Sequence, residues 1–130
     1  MGIVIGSDAL AVGMQLPIQS KSTNFAEPWE SSAGVAELAQ VAQSADRSGF
    51  AYVGVCDHIA VPSEQATVMG EEWWDTVATM GWLAGITERV ALLSHVYVPA
   101  YRHPLQVAKA FSTLDAISGG RIIMGVGAGH

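Results

Sequence analysis

The chain has 130 residues, a length for one domain or for part of a larger one. Half of the residues are hydrophobic and only 14% carry charge, which excludes a disordered chain and calls for a buried core. Twelve acidic residues against six basic ones give a net charge of −6, which argues against a nucleic-acid or anionic-membrane partner.

Cys56 is the single cysteine, so neither an intrachain disulfide nor a thiolate-rich metal site can form, and a reducing, cytoplasmic setting is expected. The opening residues lack a basic n-region, and apolar runs such as 90–93 fall far short of the roughly 20 residues of a membrane helix.

Residues 11–19 (AVGMQLPIQ) read as a first strand. Ser32 is placed as the N-cap of a first helix with apolar positions Val35, Leu38, Ala39, Ala42 and Ala45, closed by Gly49. A β-rich run, 52–56 (YVGVC), ends at Asp57-His58, and a polar loop, 59–72, follows. Asp75 caps a second helix whose core positions are Val77, Ala78, Met80, Gly81, Leu83 and Ala84. Residues 90–98 (VALLSHVYV) form a third strand stopped by Pro99. Pro104 starts a third helix with Leu105, Ala108, Phe111, Leu114 and Ile117 as its apolar positions. Gly119-Gly120 close it, and 121–126 (RIIMGV) is the fourth strand.

Strands alternating with helices imply a parallel sheet covered by helices, with strands at about 11–18, 52–56, 90–97 and 121–126 as sequential neighbours. Four strands and three helices are half of a (β/α)8 TIM barrel, which typically needs about 250 residues, or else a small open sheet. One partial domain spanning 1–130 is expected.

In such folds ligands lie at the C-terminal ends of strands. These ends carry Gln15, Pro17 and Gln19; then Asp57-His58; then His95, Tyr97, Arg102 and His103; then Gly127, Ala128, Gly129 and His130. Three of the four exits deliver a histidine, although the chain has only four. Asp57-His58 is a titratable pair poised for proton transfer or ligand contact, unless Asp57 caps the following turn. His103 precedes a helix and suits capping. Asp57, His58, His95 and His130 could in principle converge on zinc, but no H-x-H, H-E-x-x-H or cysteine pair is present, and no metal is expected.

Five of the 14 glycines fall in the last 12 residues. The run Gly125-Val-Gly127-Ala-Gly129 lacks the dinucleotide spacing and a following helix. It suits either a flat ring approaching the backbone or a tight strand exit. Trp73-Trp74, before the second helix, is placed to wall a pocket for an aromatic cofactor.

The stretches GFAYVGVCDH (49–58), Trp74-Asp75, TERVALLSHVYV (87–98), PAYRHP (99–104) and LDAISGGRIIMGVGAG (114–129) resemble luciferase-like flavin and deazaflavin oxidoreductases, most of all the branch using coenzyme F-420. The resemblance runs from about Ala11 to His130. It implies a luciferase-like (β/α)8 barrel of which this chain supplies strands one to four. It also implies hydride transfer between a deazaflavin (coenzyme F-420) and a small organic substrate, or monooxygenation if the cofactor is FMN. His58 matches the family's active-site histidine and Asp57 the coenzyme-contacting acid before it. His95-Val96 falls at a β-bulge with a non-prolyl cis peptide behind the ring, so distortion is expected over 94–97. Gly127, Ala128 and Gly129 match the strand-four exit near the ring. His130 stands where some members carry a catalytic glutamate. The family's phosphate-binding residues come largely from the barrel's second half, and a homodimer is expected of the full-length protein. A metal-dependent hydrolase or isomerase on a similar barrel and a non-catalytic fragment are the competing readings.

Overall fold

The computed structural model describes residues 10–20 and 22–129. Four parallel strands, β1 (Gly13–Gln15), β2 (Tyr52–Val55), β3 (Ala91–Tyr97) and β4 (Ile122–Val126), form one sheet in the order β1-β2-β3-β4, as expected. The three long helices are α1 (Val35–Arg47), α3 (Thr76–Ile86) and α4 (Pro104–Ser118). A short α2 (Ala66–Met69) interrupts the loop after β2, and 3-10 turns lie at Pro28–Ser32 and Pro99–Tyr101. Helix α1 packs on α3 and α3 on α4, so the long helices make one layer. Leu38, Val53, Met80, Leu83 and Leu92 are fully buried between that layer and the sheet. Each contributes roughly 1.5–3 kcal/mol by leaving water.

Local chemistry sets most boundaries. The Asp75 carboxylate accepts from the Ala78 N–H at 2.8 Å and starts α3, while Pro104 sits in the first turn of α4 behind His103, whose ring Nδ1 accepts from Leu105 N–H at 3.3 Å. Gly49 and Gly119 follow α1 and α4 at φ +79° and +71°, a region that favours glycine. Two boundaries differ from expectation. Helix α1 is capped at Gly34, whose N–H donates to the Glu37 carboxylate at 2.8 Å, whereas Ser32 closes the 3-10 turn with a bond to Trp29 O. Strand β1 is shorter than expected. Pro17 has no N–H to offer the ladder, and Ile18 turns to φ +74° with its N–H donated to the Glu30 carboxylate at 2.6 Å.

The strand starts are held from below. The buried Asp46 carboxylate accepts from the N–H groups of Glu88, Arg89 and Val90 at 2.8, 2.9 and 2.7 Å. The buried Arg121 guanidinium donates to Thr87 Oγ1 and the Val90 and Ala84 carbonyls.

Candidate active site

A cleft of about 850 Å³ opens at the C-terminal ends of the four strands. Every exit contributes to its lining: Gln15 and Gln19 after β1, Cys56, Asp57 and His58 after β2, His95, Val96 and Val98 at the end of β3, and Gly127, Ala128 and Gly129 after β4. The structure therefore brings Asp57, His58, His95, Val96, Gly127, Ala128 and Gly129 into one lining; Tyr97, Arg102 and His103 are not part of it, and His130 lies outside the described residues.

His58 is half-buried in this lining, its ring centroid 4.1 Å from that of Trp73 and tilted by 50°. Trp73 is thus the pocket wall that its position suggested, whereas Trp74 packs on the hydrophobic core. The loop that carries Trp73 is fastened to the β1 exit: Ser20 and Trp73 form an antiparallel bridge, and Thr23 N–H donates to Val68 O at 3.0 Å.

Asp57 is neither a turn cap nor a solvent-facing partner of His58. It is buried, and both its oxygens are engaged inside the protein. Arg102 donates Nη1 to Oδ2 and Nη2 to Oδ1 at 2.5 and 2.6 Å, and Val98 N–H donates to Oδ2 at 2.8 Å. The Thr76 hydroxyl lies 2.8 Å from Oδ1 and 2.7 Å from Cys56 O, one hydrogen between two acceptors. Burial disfavours the charged carboxylate, but the bonds from Arg102, Val98 and Thr76 outweigh it and hold Asp57 below the usual carboxylate range. The same pairing pushes Arg102 up.

Residues 94–97 are distorted as expected. Ser94 pairs with Met124 and Tyr97 with Val126, so β3 carries one more residue than β4 between those rungs. The His95-Val96 peptide is cis. Gly125 and Gly127 accommodate this bulge. A Cβ on Gly125 would stand 2.4 Å from Ser94 O, and one on Gly127 would stand 2.6 Å from Val96 Cγ2. The glycine run therefore answers first to its neighbouring strand.

Two glutamines join the exits. Gln19, fully enclosed, accepts from Cys56 N–H at 2.9 Å and donates to Leu16 O and Gly54 O. Gln15 Oε1 lies 3.1 Å from His95 Nδ1, and its amide donates to the Cys56 sulfur at 2.9 Å. Burial pushes the Cys56 thiol pKa up, which disfavours its thiolate. Among the described residues no three His, Cys, Asp or Glu side chains cluster closely enough to hold a metal. Sequence reasoning placed Gln15 and Arg102 at strand ends without a partner and did not single out Thr76. The partners of Arg102, Thr76 and Gln15 lie 45, 19 and 80 residues away, and no local pattern signals them.

The luciferase-like monooxygenase family model matches residues 13–130. The chain belongs to this family. It is 37% identical over 109 residues to an F420-dependent glucose-6-phosphate dehydrogenase of Intrasporangium calvum, covering 78% of this chain and 30% of that protein. It is also 37% identical over 93 residues to a 5,10-methylenetetrahydromethanopterin reductase of Methanopyrus kandleri, covering 72% and 23%. The coenzyme F420-dependent tetrahydromethanopterin reductase structure from Methanopyrus kandleri aligns with a TM-score of 0.65 at 27% identity, over 92% of this chain and 27% of that one. A riboflavin lyase structure aligns with a TM-score of 0.74 at 18% identity, over 92% and 30%, which speaks for the fold alone. The chain thus spans about a quarter to a third of the length of these relatives, and its sheet corresponds to four parallel strands of their barrels.

Proposed function

We propose that this chain supplies the ring-facing side of a deazaflavin (coenzyme F-420) site in an oxidoreductase that passes a hydride between the coenzyme and an organic substrate. The observation that carries the reading is the cleft at the strand ends, where His58, seated on Trp73, shares one cavity with the Val96 bulge and the small residues Gly127, Ala128 and Gly129. The residues present fit a flat aromatic ring. Val96, Trp73 and the glycines offer apolar or bare backbone contact. The two carboxylates in the lining are engaged from within the protein: Asp57 is paired with Arg102, and Glu30 accepts from the N–H groups of Ile18 and Glu27. The F420-dependent relatives favour the deazaflavin over FMN.

When bound, the coenzyme supplies the hydride chemistry. His58, which lines the cleft, holds or moves a proton at its imidazole, and Trp73 sets the tilt of that ring. Gln15 orients His95 through Nδ1. Trp73, Val96 and Val61 exclude water from around the reacting groups.

Titration of the purified protein with oxidised F-420 and with FMN, followed by fluorescence, tests the reading. The expected result is a deazaflavin Kd at least about tenfold below that of FMN, a difference of roughly 1.4 kcal/mol. Tighter FMN binding would favour a monooxygenase instead, and binding of neither would remove the coenzyme reading.

A further inference from the structure

We infer that Arg102 is a positioning residue: by clamping Asp57 it sets the separation between the two walls of the cleft, the His58 wall and the His95-Val96 wall. The inference rests on the coenzyme reading above and adds a residue to the same site.

Asp57 immediately precedes His58, and Val98 lies two residues beyond Val96. The Asp57 carboxylate accepts from Val98 N–H at 2.8 Å, so the exits of β2 and β3 meet at one side chain. Arg102 closes that junction. Its two terminal nitrogens meet the two carboxylate oxygens at 2.5 and 2.6 Å, and Nη1 also donates to Val98 O at 3.2 Å. The guanidinium carbon lies 4.2 Å from the centroid of the Tyr97 ring, which is itself buried edge-on against Phe111 of α4 at 4.8 Å. The side chain of Asp57 is 2% exposed and that of Arg102 17%. A planar guanidinium held by two parallel bonds, one carbonyl and an aromatic face has a single orientation, and a lysine ammonium cannot reproduce it. Both walls hang within two residues of this latch. Loosening it displaces His58 relative to the opposite wall without removing any group that touches the coenzyme.

Arg102→Lys keeps the charge and removes the fork, so it separates positioning from simple charge balance. In the full-length enzyme the expected result is turnover reduced about 10- to 100-fold, the scale for a misplacement near 1 Å, with the F-420 Kd changed by less than about threefold. A second readout needs no coenzyme. In protein carrying isotope-labelled histidine, the ring current of Trp73 displaces the His58 ring signal, which is assigned by its loss in His58→Gln. Arg102→Lys should move that signal toward the position of an exposed histidine. Unchanged turnover or an unmoved His58 signal overturns the positioning role. If Arg102→Lys fails to fold, the pair Asp57→Asn with Arg102→Gln buries no uncompensated charge and keeps the question open to measurement. It should displace the His58 signal likewise, and an unmoved signal there overturns the inference too. Failure of the unsubstituted protein to bind F-420 would sink the coenzyme reading alone, because the His58 signal still reports on the latch.

Discussion

Asp46→Asn tests the physics at the other end of the sheet. The carboxylate takes Arg89 and Val90 N–H on Oδ1 and Glu88 N–H on Oδ2. Asparagine keeps one oxygen for the first two donors and turns its own NH2 toward the third. The Glu88 N–H is then left without an acceptor, a loss of about 1–3 kcal/mol, and the two remaining bonds lose their charge assistance, about 1 kcal/mol each. A destabilisation of roughly 3–5 kcal/mol at pH 7 is expected. Burial raises the Asp46 pKa, but the bonds from Glu88, Val90 and Arg89 outweigh it and hold the pKa below its ordinary value. For a depressed carboxylate the stabilisation is complete above the unfolded pKa, near 3.9, and is lost as pH falls through the folded one. The difference between the two proteins should therefore be full at neutral pH and shrink below about pH 4. Urea unfolding followed by circular dichroism at both pH values measures it. A difference under about 1 kcal/mol at pH 7, or one that stays constant into acid, refutes the reasoning.

Three further outcomes are expected. In the full-length enzyme, His58→Ala should cut turnover by roughly 10²- to 10⁴-fold and change F-420 affinity much less, measured side by side on one preparation; unchanged turnover would leave His58 a structural residue. Gly125→Ala should lower stability by about 1–3 kcal/mol in thermal unfolding, because its methyl would stand 2.4 Å from the Ser94 carbonyl oxygen, a backbone atom that cannot rotate away. Gly127→Ala meets the stiff Val96 side chain instead, and its expected signature is weaker coenzyme binding in the fluorescence titration with a smaller effect on unfolding.

The caps at Asp75, Gly49 and Gly119, the first-turn Pro104 and the place of His58 were legible because each depends on residues close in sequence, and the strand order because the strands alternate with helices that carry each one beside the last. The burial face of α4 was not. The stride Leu105, Ala108, Phe111, Leu114, Ile117 has a period of three, and a helix turns once in about 3.6 residues, so the row drifts off one face. The buried residues are Val107, Phe111, Leu114 and Ser118, while Leu105 is 74% and Ile117 64% exposed. In α1, Val35 is likewise 56% exposed, since it stands at the first position beyond the Gly34 cap. The role of Asp57 was hidden for a different reason. Adjacent to a histidine, it reads as half of a proton-transfer pair, but its charge is answered by an arginine 45 residues further on. An acidic residue at a strand exit has a local signature, and its partner has none.

Asp46 and Asp57 show why the same residue type serves two ends differently. Asp46 binds the N–H of Val90, just before β3, and Asp57 binds the N–H of Val98, just after it. The strand that carries the bulge is thus held at both ends by a buried carboxylate. At the lower end the acceptor meets only backbone donors and an Arg89 chain that reaches the Asp46 carbonyl, so a change there is felt as stability. At the upper end the acceptor is one residue from His58 and within two of the bulge, so a change there moves the groups that line the cleft. Barrels of this type separate stability at one face from chemistry at the other. Here that separation follows from what each carboxylate is tied to: Asp46 anchors the start of a strand, and Asp57 fixes how two strand ends face each other.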